Sequence, residues 1–94
     1  MLSKIPSELK DLPEEDLDKQ ILRAGIVSEI DAINLYEQMA SMTKNKEIRT
    51  VLLDIAREEK THIGELQALL LRVDPQQGLE LEAGADEVEE ELSK

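Results

Sequence analysis

The sequence predicts an all-α fold: two long antiparallel helices and a short C-terminal helix, completed to a four-helix bundle only when a second copy joins. Three observations predict it. Apolar residues recur at spacings of three and four along two stretches of about 30 residues each. Only Thr43-Lys44-Asn45-Lys46 separates those stretches, and so short a connection makes the helices antiparallel. The chain has 94 residues, enough for one domain but too few to enclose a large core, and assembly with other copies is a common remedy.

The elements follow in order. Residues 1–12 read as a polar lead-in punctuated by Pro6. Pro13 with Glu14, Glu15 and Asp16 opens the first helix, because proline suits a first turn and acids there complement the helix dipole. That helix is expected over 13–43, weakened at Gly25 by about 1 kcal/mol relative to alanine. Asn45 or Thr43 can cap the second helix, expected over 45–74 and stopped by Pro75. Residues 75–94 are acidic: seven acids from Glu80 to Glu91 face a single base, Lys94. Gly78 and Gly84 interrupt this segment, so the short third helix is expected over 85–92.

Composition removes several functions. The formal charge is −11 and no basic patch exists, which argues against nucleic acid as a partner. The chain has no cysteine, which excludes disulfides, thiolate metal sites and thiol catalysis. No apolar run reaches the ~18 residues of a membrane span. Met1-Leu2-Ser3-Lys4 leads into polar sequence and not into the apolar core of a signal peptide, so a cytoplasmic protein is expected.

The chemistry lies in the helical seams. In steps of four and three, the second helix reads Ile48, Leu52, Ile55, Glu59, His62, Leu66, Leu69, Val73. The first reads Leu22, Ile26, Glu29, Ile33, Tyr36, Ala40. Each seam is oily except in its middle. Glu29 lies about as far before the turn as Glu59 lies after it, so an antiparallel hairpin sets both at one level. A buried, unpaired carboxylate costs several kcal/mol. Neither seam holds a lysine or arginine to offset that, which leaves proton uptake or a cation.

Glu59 and His62, three apart, project from one helical face. Glu-x-x-His with a facing Glu is half the ligand set of di-iron carboxylate bundles. With one histidine, the chain supplies only half; two copies supply Glu29, Glu59 and His62 twice. Four carboxylates then balance two divalent ions, and a mixed carboxylate–imidazole set suits iron, manganese or zinc. Tyr36, two turns from Glu29, has two readings: a hydroxyl beside a ligand, or a packed ring with its hydroxyl at the rim. Val51, Leu53, Ile63, Leu70 and Leu71 fall off the second seam and predict a further subunit interface, or else cover by the C-terminal segment docking on them.

The run from Glu29 to Glu37 (EIDAINLYE), followed by Arg57-Glu58-Glu59-Lys60-Thr61-His62, resembles the encapsulated ferritins, whose archaeal and bacterial members are cargo of, or fused to, encapsulin shells. The likeness covers roughly residues 14–75. It implies a ferritin-like fold, a di-iron ferroxidase centre between two subunits, and a ring-shaped decamer that oxidises Fe²⁺ for iron storage inside an encapsulin nanocompartment. The ligands it implies are Glu29, Glu59 and His62, with Tyr36 beside them in the catalytic centre. The oxidant is O₂ or peroxide, and calcium or zinc is expected to substitute for iron in a crystal. Some members carry an accessory site on the iron entry path at positions that here hold Ser28, Asp31 and Leu35, of which only Asp31 is acidic.

Two other readings stand beside a ferroxidase. The same ligands could hold zinc or calcium as a staple with no catalysis. A plain helical interaction protein, with protonated or hydrated seam acids, would bind no stoichiometric metal.

Overall fold

A computed structural model describes residues 11–94; the expected lead-in, apart from Asp11 and Leu12, lies outside them. Three helices follow in order: α1 (Glu14–Met42), α2 (Lys46–Val73) and α3 (Pro75–Leu92). No strand occurs among the described residues.

α1 starts behind Pro13, whose carbonyl accepts from Leu17 N–H at 2.9 Å, with Glu14, Glu15 and Asp16 in the first turn. The hairpin turn is closed from both sides. Asn45 caps α2, its Oδ1 accepting from the backbone N–H of Glu47 at 2.9 Å and of Ile48 at 3.1 Å. Arg49 reaches back to the end of α1, donating from Nε to the Ala40 carbonyl at 3.2 Å and from Nη2 to that of Thr43 at 2.7 Å. Carbonyls that α1 itself leaves without a partner are thus satisfied by the helix that follows.

The third helix differs from the sequence expectation. It begins at Pro75 and runs unbroken through Gly78 and Gly84, not over 85–92 alone. Proline at the first helical position is pre-organised for a start as well as being a stop for what precedes it. Each glycine costs about 1 kcal/mol but blocks nothing. The surrounding Gln, Leu, Glu and Ala residues favour the helix.

Asp74 is the single residue between α2 and α3, and it is buried. Its N–H donates to the Leu70 carbonyl at 2.8 Å, and Arg23 of α1 donates from Nη2 to its Oδ2 at 2.7 Å. The carboxylate therefore ties α1 to the corner and does not cap α3. Beyond the corner, α3 leaves the hairpin. The molecule measures 47 × 46 × 18 Å. A hairpin of two helices is roughly 45 Å long and 20 Å wide, so the second long dimension requires α3 to project outward.

Such a shape encloses little. Among the described residues only Ala40, Ala56 and Leu70 are buried hydrophobics, whereas Ile48, Val51, Leu69 and Val73 of α2 are exposed. This corrects the seam in one respect: Leu70, expected off it, faces α1, while Ile48, Leu69 and Val73, expected on it, do not pack there. A straight helix advances 3.6 residues per turn, so a 3.5-residue seam drifts around it by about 20° per heptad. The apolar surface of α2 is therefore two neighbouring stripes. One (Leu52, Ala56, Ile63, Leu70) covers α1; the other (Ile48, Val51, Leu69, Val73) forms an open flank.

The Arg23–Asp74 pair yields a prediction. Arg23 is half exposed, at 48% against 12% for Asp74, so the pair contributes about 1 kcal/mol. Asp74→Ala should lower stability in urea by about that amount and should speed amide hydrogen exchange in α3 while leaving the middle of α2 protected.

Candidate metal centre

Glu29 stands midway along α1, Glu59 and His62 midway along α2. The antiparallel hairpin, held in register by Gly25 against Leu66 and by Arg23 on Asp74, brings them to one level. Their ligand atoms all lie within 4.8 Å of one another. His62 Nδ1 is 3.4 Å from Glu29 Oε2 and 3.4 Å from Glu59 Oε2. Both separations are long for hydrogen bonds. The imidazole stands between two carboxylates and is held firmly by neither.

Exposure divides the three residues. The side chains of Glu59 and Glu29 are 18% and 24% exposed, that of His62 46%. The acids sit between the helices; the imidazole stands on the open flank of α2 with Ile48, Val51, Leu69 and Val73. The sequence placed all three inside an oily seam, yet in one chain the seam is covered on one side only. Two carboxylates and an imidazole nitrogen converge on one point and face an uncovered apolar surface. That donor set fits a borderline divalent ion such as Fe²⁺ or Zn²⁺. Three donors leave positions open in a tetrahedral or octahedral shell.

The remaining candidates do not join the cluster. Tyr36 is half-buried two turns along α1, about 10 Å from the level of Glu29. Asp31 points elsewhere: two residues past Glu29, it is turned by about 200° around the helix, away from α2. Its Oδ2 is buried without a hydrogen-bond partner. Ser28 and Leu35 share that outer region of α1.

Comparisons with known proteins place the chain in a family and a fold. The family model described as Rubrerythrin matches residues 20–92. The chain belongs to the rubrerythrin family. Among curated relatives of this rubrerythrin-family chain, the "Ferritin-like-encapsulin shell fusion protein" of Pyrococcus furiosus is 56% identical over 71 residues, covering 76% of this chain and 21% of that protein. "Encapsulin nanocompartment cargo protein EncC" of Myxococcus xanthus is 36% identical over 56 residues, 60% of this chain and 43% of the relative. The chain thus spans about a fifth and under half of these two relatives' lengths. The crystal structure of the encapsulated ferritin domain from Pyrococcus furiosus superposes with a TM-score of 0.76 at 48% identity, covering 93% of this chain and 83% of that one. The all-helical fold is that of an encapsulated ferritin domain.

Crowding at the cluster sets a sign. At separations up to 4.8 Å, two ionised carboxylates repel by roughly 1 kcal/mol in bulk water and by more in a partly solvated site. Glu29→Gln should therefore raise the melting temperature of the metal-free protein slightly, yet abolish the further rise that Fe²⁺ produces under anaerobic conditions. Scanning calorimetry with and without Fe²⁺ measures both.

Proposed function

We propose that this rubrerythrin-family chain is a ferroxidase, oxidising Fe²⁺ to Fe³⁺ at a di-iron centre built by two copies, for iron storage within an encapsulin compartment. One observation carries the reading: Glu29, Glu59 and His62 converge, with His62 on an apolar flank of the hairpin that its own chain leaves uncovered.

Two copies related by a two-fold axis would bring these flanks together, so that the same patch meets itself. Ile48, Val51, Leu69 and Val73 would then be buried around two sets of ligands. The four carboxylates neutralise two Fe²⁺ ions, whereas either half alone would leave negative charge in an apolar wall. The imidazole argues against calcium, which takes oxygen ligands.

The iron is substrate: each Fe²⁺ bound there gives up one electron to O₂ or peroxide. The chain's residues hold and orient it. Glu29 and Glu59 are the chelating or bridging groups, and their position between helices keeps bulk water from their inner faces. His62, as neutral imidazole, is the terminal donor. Tyr36, two turns along the same stripe of α1, is assigned to the same catalytic centre, where its hydroxyl would hydrogen-bond a ligand or a bound oxidant.

Further surfaces support higher assembly, in line with a decamer. α3 carries an uncovered stripe of Leu81, Val88 and Leu92, and the hairpin side away from His62 exposes Ile30 and Leu53. The shell partner and a location inside the nanocompartment rest on the likeness to the encapsulin shell fusion protein of Pyrococcus and the encapsulin cargo protein of Myxococcus. No helix among the described residues is long and apolar enough to cross a membrane.

The test is direct. Protein loaded with Fe²⁺ under anaerobic conditions is mixed with O₂ and Fe³⁺ absorbance followed. Glu59→Ala and His62→Ala should each slow oxidation by about 10²-fold or more relative to the parent. Equal rates would overturn the site, and bound zinc without oxidation would favour a metal staple. Native mass spectrometry should show two irons per pair of chains. A chelator should shift mass toward smaller species, since a metal bound only by the assembly stabilises it by mass action.

A further inference from the structure

The glycines of this chain present a contrast. None has a positive φ, so none is required by backbone conformation. A Cβ on Gly64 or Gly84 would meet nothing within 4 Å, and one on Gly78 would make an ordinary contact of 3.6 Å with Leu71. Gly25 alone is different. A Cβ there would lie 3.1 Å from Leu66 Cδ1, 3.7 Å from Cδ2 and 3.9 Å from Cγ. The Leu66 side chain rests on the bare backbone of α1. Glycine is a poor helix former in the middle of a 29-residue helix, so its use here answers to space.

The contact lies beside the ligand cluster on both helices. Gly25 is one turn before Glu29 and Leu66 one turn after His62. Residues four apart share a helical face and are rigidly linked over so short a span.

We propose that Gly25 is a positioning residue for the metal centre: by letting Leu66 seat against α1, it sets the inter-helix distance at which Glu29 meets Glu59 and His62. The inference rests on the metal reading of that cluster. Magnitudes support it. Relieving a 3.1 Å carbon contact to the ordinary 3.5–4.0 Å takes roughly half an ångström. Metal–ligand distances tolerate about 0.2 Å. If the relief comes from the helix axes moving apart, the ligands leave bonding range. If Leu66 merely swings away, they do not move.

The experiment separates these outcomes. Anaerobic equilibrium titration with Fe²⁺ is carried out on the full chain for the parent, Gly25→Ala, Leu66→Ala and the double variant, with helicity and melting of the metal-free proteins recorded in parallel. Gly25→Ala should keep full helicity, since alanine is the better helix former, while binding Fe²⁺ about tenfold more weakly or worse. The double variant, with the clash removed, should return to the affinity of Leu66→Ala alone. A Gly25→Ala protein that binds like the parent overturns the proposal, as does a double variant that binds more weakly than Leu66→Ala alone. A parent that binds no Fe²⁺ at all overturns the metal reading itself.

Discussion

Everything in this molecule depends on the cost of keeping two carboxylates and an imidazole together on an apolar wall that one chain covers on one side only. The hairpin draws Glu29, Glu59 and His62 to within 4.8 Å of one another. Like charges at that distance repel, and burying them further without a counter-charge would cost several kcal/mol. A cation removes both penalties together. On the proposed pairing it would also turn the open flank into an interface, since the closure that desolvates the acids would bury Ile48, Val51, Leu69 and Val73. In the proposed reading, metal binding and assembly draw on the same surface.

The weak core of the single chain follows from the same arrangement. Ala40 and Ala56 are small, and Leu70 is the one large side chain among the buried hydrophobics of the described residues. Small residues let α1 and α2 approach closely, as does Gly25 under Leu66, but they remove little apolar area from water. The hairpin is held as much by its ends as by its middle. Asn45 and Arg49 close the turn, and Arg23 on Asp74 closes the far corner. The middle is thereby reserved for the ligands. Beyond that corner α3 keeps Leu81 beside Ile26, Val27 and Leu70 of the hairpin and leaves Val88 and Leu92 exposed.

Sequence alone determined the helical class, the turn around residues 43–45 and the level at which Glu29 faces Glu59 and His62. These follow from local rules: periodicity, capping chemistry, and equal distances from a short turn. The length of α3 was less legible, because two glycines within eighteen residues read as breaks although each only lowers propensity. Tertiary structure decided what periodicity cannot. A heptad reading puts Leu66 and Leu69 on the seam and Leu70 off it, yet Leu70 is buried against α1 and Leu69 lies on the open flank. His62 goes with Leu69. Which stripe meets the partner helix depends on where two cylinders touch, and the spacing of residues along one of them does not contain that. The same holds for Gly25, whose sequence signal is a propensity cost and whose structural meaning is a leucine from the other helix lying where its side chain would be.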